Sequence, residues 1–154
     1  MIDAWRLVSA RHATLGDAFS GDGARLFGGR WNSPGVAVIY VSGSLALAAL
    51  ETLAHADRRR FERRYVAYRL TFPERQVLTL AEGDVPDDWR DRPVSVGARR
   101  VGDGWVREAA SAALSVPSVL VPLERNLVLN PAHPDFKAVE IEQPLEFVFD
   151  ARLA

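Results

Sequence analysis

Several short runs of the sequence alternate between hydrophobic and polar residues, the period-two pattern typical of β-strands. In the clearest run, residues 66–72, one face is formed by Val66, Tyr68, Leu70 and Phe72. Residues 36–41 are apolar on both alternating faces, which predicts a strand covered by protein on both sides. We predict further strands at residues 4–8, 76–80, 118–121, 126–129, 138–141 and 145–149.

Two segments have helical spacing instead. Ser44 precedes leucines at helical intervals, so we expect it to cap a helix that ends near Ala56. Asp103 is expected to cap a second helix, over residues 104–115. Because strands outnumber helices and do not alternate regularly with them, the sequence predicts one α+β domain over residues 1–154, with a mixed, largely antiparallel sheet.

The composition is that of a globular protein, with 48% hydrophobic and 25% charged residues and a formal net charge of -1. This near-neutral balance argues against a protein held to nucleic acid or to an anionic membrane mainly by charge. Residues 31–50 carry no charge, but Asn32, Pro34 and Gly35 divide them, so they do not read as a membrane span. The absence of cysteine excludes disulfides and thiolate metal sites, and we expect a cytoplasmic protein.

Several common enzyme classes lack their motifs here. The sequence contains no G-x-x-x-x-G-K-[ST] phosphate loop, no G-x-G-x-x-G dinucleotide turn and no G-x-S-x-G nucleophile elbow. The three histidines, His12, His55 and His133, have no ligand-like spacing, so we predict no metal site.

Four residues remain as candidates for chemistry, each with an ordinary structural alternative. Arg30 follows two glycines, whose backbone N–H groups could approach an anion while the guanidinium grips a phosphate; it could equally pair with a surface carboxylate. Tyr40 is expected to be buried, either as a plain core tyrosine or as an aromatic wall. Helical periodicity puts Glu51 opposite the leucines, a position open to solvent or to a cleft. Ser118 follows Pro117 and could be a turn residue.

These candidates belong to a longer series of short blocks. The blocks are Trp5-Arg6, Gly28-Gly29-Arg30-Trp31-Asn32, Tyr40, Leu50-Glu51, Pro117-Ser118-Val119, Glu124-Arg125-Asn126 and Asn130-Pro131-Ala132-His133-Pro134. In this order they resemble the RES domain, the toxin half of bacterial type II RES–Xre toxin–antitoxin pairs. The resemblance extends from Trp5 to about Phe136, whereas residues 82–100 match nothing in it. It implies a fold similar to that of ADP-ribosyltransferases.

The resemblance also implies a reaction on NAD+ as substrate, without a metal: cleavage of the nicotinamide–ribose bond, which depletes NAD+ by hydrolysis or phosphorolysis. Departure of nicotinamide leaves a ribosyl cation of the oxocarbenium type, which a fixed carboxylate stabilises, and Glu51 is the candidate. Arg30, together with Arg6, would hold the pyrophosphate or ribose. Tyr40 would form a wall for the nicotinamide, and Ser118 would donate a hydrogen bond to the nicotinamide amide or the ribose.

The same resemblance implies a cognate Xre-like helix-turn-helix antitoxin, which would make any contact with DNA, and it allows for a homodimer within a larger complex. Three alternatives stay open. The protein could transfer ADP-ribose to a specific cellular protein, target RNA through the arginine-rich residues 58–64, or act as a non-catalytic binding module. Glu124, Asn126 and Asn130 could be catalytic or could support the pocket.

Overall fold

One sheet runs through most of the chain. In the computed structural model, which describes residues 1–153 apart from the side chain of Arg60, its strands are β1 (Ile2–Ser9), β2 (Ile39–Ser42), β3 (Arg64–Phe72), β4 (Val77–Thr79), β5 (Ala113–Pro117), β6 (Arg125–Leu129), β7 (Glu140–Ile141) and β8 (Leu145–Val148). Their order is β4-β5-β6-β2-β1-β3-β7, and β8 also pairs with β3. The β4–β5 pair is parallel and the other described pairs are antiparallel. The predicted mixed, largely antiparallel sheet is therefore confirmed, and only Ala154 of the predicted domain lies outside the described residues.

Helices pack against this sheet, in agreement with the predicted α+β class. They are α1 (Leu15–Ala18), α2 (Asp22–Phe27), α3 (Leu45–His55) and α4 (Val96–Glu108). Within residues 1–153, no helix combines the length and the apolar character that crossing a bilayer requires.

The connection between β1 and β2 is rich in glycine. It contains two short helices, α1 and α2, followed by a turn over residues 28–32 that we call the glycine turn.

The apolar side chains form two cores on opposite faces of the sheet, because alternate residues of its central strands point to opposite sides. Ile39 of β2 lies in one core and Val38, just before it, in the other. Helix α4 covers the second core through Ala98 and Trp105, and Trp31 of the glycine turn packs there as well. The double-sided apolar pattern of residues 36–41 reflects this arrangement, although pairing begins only at Ile39.

Helix α3 forms as predicted. The hydroxyl of Ser44 accepts a hydrogen bond from the Leu47 backbone N–H at 3.1 Å, which satisfies a free donor of the first turn. Leu47 and Ala48 are buried, and the helix packs against β1 and β2. This packing fixes which side of α3 faces the sheet, and with it the position of Glu51.

The second predicted helix is wrong at both ends. Helix α4 begins after Ser95, whose hydroxyl accepts from the Ala98 N–H at 3.1 Å, whereas Asp103 lies in the middle of the helix. Asp103 cannot act as a cap there, and its carboxylate instead accepts from the Ser33 N–H at 2.8 Å and the Ser33 hydroxyl at 2.6 Å. The helix stops at Ala109, which has a left-handed φ of 49°.

The predicted strand at residues 118–121 is also displaced. The strand is β5, which ends at Pro117 and includes residues 113–115, the end of the second predicted helix. Pairing with β4 on one side and β6 on the other makes these residues a strand instead. After Pro117 the chain turns, because the Ser118 hydroxyl accepts from the N–H groups of Leu120 and Val121, both at 3.2 Å.

The remaining predicted strands are close to the observed ones. Those at residues 4–8, 66–72, 76–80, 126–129 and 145–149 match β1, β3, β4, β6 and β8 to within two residues at each end. The strand predicted at residues 138–141 is paired only at Glu140–Ile141, because a 3-10 turn occupies Pro134–Ala138.

Candidate active site

A cavity of about 700 Å³ opens where β1 and β2 separate. These two neighbouring strands pair only at Trp5 and Ser42 in the described structure, and beyond that point they diverge. Strands β1 and β2, helix α3 and the glycine turn all contribute to its wall. Four of the five predicted site residues line it, namely Arg6, Arg30, Tyr40 and Glu51, whereas Ser118 does not.

Arg6 fills the gap between the diverging strands. Its Nη1 donates to the Tyr40 backbone carbonyl at 2.9 Å, and its Nε donates to the Ala18 carbonyl at 2.5 Å. Burial lowers the pKa of Arg6 to about 10, so that the guanidinium remains a cation at neutral pH. Within the described residues, Nη2 has no acceptor, which leaves two N–H groups for a ligand.

The hydroxyl of Tyr40 is fully engaged in holding the glycine turn. It donates to Asn32 Oδ1 at 2.6 Å and accepts from the Trp31 N–H at 3.1 Å. A Cβ atom at Gly29 would lie 2.6 Å from this hydroxyl oxygen, so only glycine permits such a close approach. Burial raises the pKa of Tyr40 above its ordinary value, and the phenol stays neutral. The ring, rather than the hydroxyl, is what Tyr40 presents to the cavity.

The N–H groups of the glycine turn do not meet the expectation of an anion site. The Gly28 N–H donates to the Ala24 carbonyl at 2.8 Å, and the Gly29 N–H donates to the Asn32 carbonyl at 3.0 Å. Both donors are used within the protein, so this part of the sequence-based interpretation is wrong. The glycines are needed for space, since a Cβ atom at Gly28 would lie 2.9 Å from the Pro34 ring and the residue has a φ of 71°.

Arg30 is oriented by the segment that matched nothing in the sequence pattern. Its Nη1 donates to the carbonyls of Trp89 at 2.5 Å and Asp91 at 3.3 Å. The Trp89 ring stacks on Trp31 of the glycine turn, with ring centroids 6.1 Å apart. Burial lowers the pKa of Arg30, and the neighbouring charge of Arg92 lowers it further. Within the described residues Arg30 forms no ion pair with a carboxylate, and it lines the cavity together with Arg6 and Arg99.

Glu51 lies in a cleft, which decides between the two positions that the helical periodicity left open. Its side chain is 19% exposed. One carboxylate oxygen, Oε1, accepts from the Ser118 hydroxyl at 2.7 Å and from Asn126 Nδ2 at 2.8 Å. The other oxygen, Oε2, lies 3.8 Å from Nε2 of the exposed His55 and has no hydrogen-bond donor within the described residues. The carboxylate is thus held by one oxygen and free at the other.

Ser118 reaches the site only through Glu51. The residue is fully buried, and its hydroxyl donates to Glu51 while accepting from two backbone N–H groups of its own turn. These contacts occupy the donor and both acceptor sites of the hydroxyl. The structure therefore places Ser118 behind the carboxylate, with no group left over for a ligand.

Two further residues line the cavity. The sequence analysis did not identify Arg99, and it left the role of Asn126 open. Arg99 of α4 donates from Nε to the Gly29 carbonyl at 3.1 Å and adds a third arginine to the cavity wall. Asn126 holds Glu51, and its signal in the sequence was an amide directly before the apolar residues 127–129 of the same strand. By contrast, the described arginines Arg58, Arg59, Arg63 and Arg64 do not line the cavity, and the side chain of Arg60 lies outside the described residues.

This geometry combines a partly free carboxylate, an aromatic ring and three arginines around one cavity. Such a site suits an elongated ligand that carries anionic groups and develops positive charge when one of its bonds breaks. Among residues 1–153, no three His, Cys, Asp or Glu side chains group in a way that could hold a metal ion.

Comparison with known proteins identifies relatives over almost the full chain. The family model described as the RES domain matches residues 3–150. A protein of Yersinia enterocolitica named Toxin Res is 37% identical over 150 residues, covering 97% of each chain. A protein of Sphingobium sp. strain YBL2 named Prs ADP-ribosylating toxin is 36% identical over 153 residues, covering 97% of this chain and 94% of the relative.

A solved structure has the same fold. The fold of the M. tuberculosis MbcT-MbcA toxin–antitoxin complex matches with a TM-score of 0.76 at 20% identity. The match covers 96% of this chain and 84% of the other. This likeness supports the α+β architecture described above.

Proposed function

The chain belongs to the RES domain family, and we propose that it is a toxin that binds NAD+ in the cavity and cleaves its nicotinamide–ribose bond. The observation that carries this proposal is the state of Glu51. One oxygen of its carboxylate is held by Ser118 and Asn126, while the other is free in a cavity lined by arginines.

The volume of the cavity and the arginines in its wall support binding of a dinucleotide. A volume of about 700 Å³ lies within the range of small-molecule and cofactor sites. Arg6, Arg30 and Arg99 line it, together with the acidic side chains of Asp17, Asp22 and Glu51. Arginine forks bind phosphate oxygens in pairs, and we assign the pyrophosphate of NAD+ to the three arginines. The ring of Tyr40 would then face the nicotinamide.

Glu51 would act in the bond-breaking step. As neutral nicotinamide leaves, positive charge develops on the ribose, and a negative oxygen fixed beside it stabilises the transition state more than the ground state. The free Oε2 is suited to this task and to accepting a hydrogen bond from a ribose hydroxyl. Fixed charges of this kind contribute on the order of 10²–10³ in rate. Because nicotinamide leaves as a neutral molecule, the step requires no metal.

An active enzyme of this kind must be restrained in its own cell, and we propose a cognate antitoxin of the Xre-like helix-turn-helix class. The near-neutral charge of the chain agrees with DNA contacts made by that partner. The solved structure with a similar fold is that of a toxin–antitoxin complex, which supports a protein partner. Action on NAD+ would take place in the cytoplasm, with the toxin alone or as a homodimer in the complex.

A second candidate reaction is transfer of ADP-ribose to a cellular protein. It is favoured by the name of the Sphingobium relative, an ADP-ribosylating toxin, at 36% identity. Both reactions begin with loss of nicotinamide and differ in the acceptor, which is water or phosphate in one case and a protein side chain in the other.

The test measures the two products of cleavage, nicotinamide and ADP-ribose, separately. Purified protein is incubated with NAD+ labelled in the adenine ring, with and without cell extract, and free nicotinamide is measured by chromatography. Release of nicotinamide with free labelled ADP-ribose, or its phosphate adduct, supports degradation. Nicotinamide release that needs the extract, with label on a protein band, supports transfer. Absence of nicotinamide release under both conditions contradicts the proposed function.

A further inference from the structure

Asn126 is an unusual residue for its place in the sheet. It lies in β6, which pairs with β2 on one side and β5 on the other, and its partners in register are Ser42 and Val116. Asparagine is disfavoured in strands, and the following residues, Leu127 and Val128, are buried and apolar. An amide in this setting needs polar partners on both of its atoms.

Both partners are present, and they require the same orientation of the amide. The Ser42 hydroxyl donates to Asn126 Oδ1 at 2.7 Å, and Asn126 Nδ2 donates to Glu51 Oε1 at 2.8 Å. A flipped amide would place its oxygen against the oxygen of the Glu51 carboxylate, and neither atom could then donate. Ser42 is 5% exposed, so water has little access to replace its hydrogen bond.

We propose that Asn126, locked by Ser42, is a positioning residue that sets the direction of the Glu51 carboxylate toward the ribose of NAD+. The inference rests on the proposed function. Glu51 stands on a helix and has a flexible side chain, whereas Asn126 stands on a strand paired on both sides. Together with Ser118, it attaches Oε1 to the sheet and leaves Oε2 as the oxygen that meets the substrate.

The effect of removing the donor follows from this geometry. In Asn126→Asp the side chain keeps its shape, but an acceptor replaces the donor and faces Glu51 Oε1. We expect kcat for nicotinamide release to fall by about 100-fold, since a misplaced catalytic group loses rate on this scale. The KM for NAD+ should stay within about twofold, because the arginines that we assign to the pyrophosphate are unchanged.

Ser42 provides a second test that leaves Asn126 in place. In Ser42→Ala the amide of Asn126 loses the hydrogen bond from Ser42 and can rotate. We therefore expect kcat to fall by about tenfold, the smaller of the losses typical of residues that act through another group. In Ser42→Thr the hydroxyl is retained, and kcat should return to within about threefold of the parent value. If Ser42 contributed only to packing, Ser42→Ala and Ser42→Thr would not differ in kcat in this way while KM stayed unchanged.

Asn130, directly after the last residue of β6, offers a matched control. It is a buried asparagine whose Oδ1 accepts from the Ala132 N–H at 3.0 Å, a contact that an aspartate oxygen can replace, and no hydrogen bond joins it to Glu51 in the described structure. Asn130→Asp keeps this contact but buries a negative charge, so it should lower thermal stability while leaving kcat of the folded fraction near the parent value. Circular dichroism gives the folded fraction of every variant.

The outcomes separate this inference from the proposed function. If the parent protein releases no nicotinamide, the proposed function fails. If the parent is active and Asn126→Asp retains its kcat, or loses activity only through a higher KM, the positioning role is overturned. Should Asn126→Asp fail to fold, the comparison of Ser42→Ala with Ser42→Thr decides: equal kcat values overturn the role, and loss with rescue supports it.

Discussion

Gly102 of helix α4 provides a direct test of how the glycine turn is held in place. A Cβ atom at this position would lie 1.5 Å from the Trp31 carbonyl oxygen and 2.6 Å from its carbonyl carbon. Both are backbone atoms, so a side-chain rotation cannot relieve the overlap. Gly104 lies two residues further along the same helix, where the nearest atom to an added Cβ is Arg107 Nη2 at an ordinary 3.6 Å.

The two alanine substitutions should therefore act with opposite sign. Glycine to alanine in a helix interior contributes about 1 kcal/mol of stability through the backbone alone. Gly104→Ala should show most of this gain. In Gly102→Ala the overlap with Trp31 belongs to the upper end of overpacking effects, about 3 kcal/mol or more, for a net loss of about 2 kcal/mol. A difference of about 3 kcal/mol corresponds to roughly 6–12 °C in melting temperature for a domain of this size.

Thermal and urea unfolding followed by circular dichroism measures this difference. Because Trp31 adjoins Arg30, Gly102→Ala should also lower the rate of nicotinamide release by the folded protein, whereas Gly104→Ala should preserve it. Equal melting temperatures for the two variants would refute the packing of α4 against the glycine turn.

Three further substitutions test single contacts around the cavity. Burial raises the pKa of Tyr40, so the stability that its neutral phenol contributes is full below about pH 10 and is lost as the pH rises above that value. In alkaline urea titrations, the free energy of unfolding of Tyr40→Phe should therefore fall less steeply with pH than that of the parent, since the opposite contribution of Arg6 is present in both proteins. An identical slope would contradict this expectation. Asp103→Ala removes the acceptor of two hydrogen bonds from Ser33 and should destabilise the protein by about 1–3 kcal/mol in urea unfolding, with an unchanged midpoint as the contrary result. Arg99→Leu should weaken NAD+ binding by about tenfold in calorimetry on an inactive background, an expectation drawn from the loss of one charge-assisted contact, and equal affinity would remove Arg99 from the binding site.

The elements that could be predicted from sequence are those whose signals are local. Helix α3 is marked by its leucine spacing and by the Ser44 cap, and β3 by strict alternation, so both were found with nearly correct ends. The bounds of α4 and β5 were predicted wrongly, because contacts with residues distant in the sequence decide them. Gly102 is required by a contact with Trp31, and residues 113–115 become a strand only through pairing with β4 and β6.

The candidate site was also predicted only in part: the sequence indicated residues of the site but not their contacts. The order of the short blocks indicated Arg6, Arg30, Tyr40 and Glu51, and the structure gathers these four around one cavity. The roles of Arg30 and Glu51 depend on contacts with residues far away in the chain, and the sequence patterns did not show those contacts. The donors to Glu51 come from positions 67 and 75 residues later, and Arg99 joins the wall from 70 residues beyond the Gly29 carbonyl it contacts.

The most direct measurement of the central claim is the rate of nicotinamide release by Glu51→Gln. The amide keeps the size of the side chain and removes its negative charge, so we predict a rate lower by about 10²–10³, with NAD+ still bound. Glu62→Gln is the matched control, since Glu62 pairs with Arg11 outside this cavity and should react at the parent rate. A Glu51→Gln protein that releases nicotinamide as fast as the parent would contradict the account.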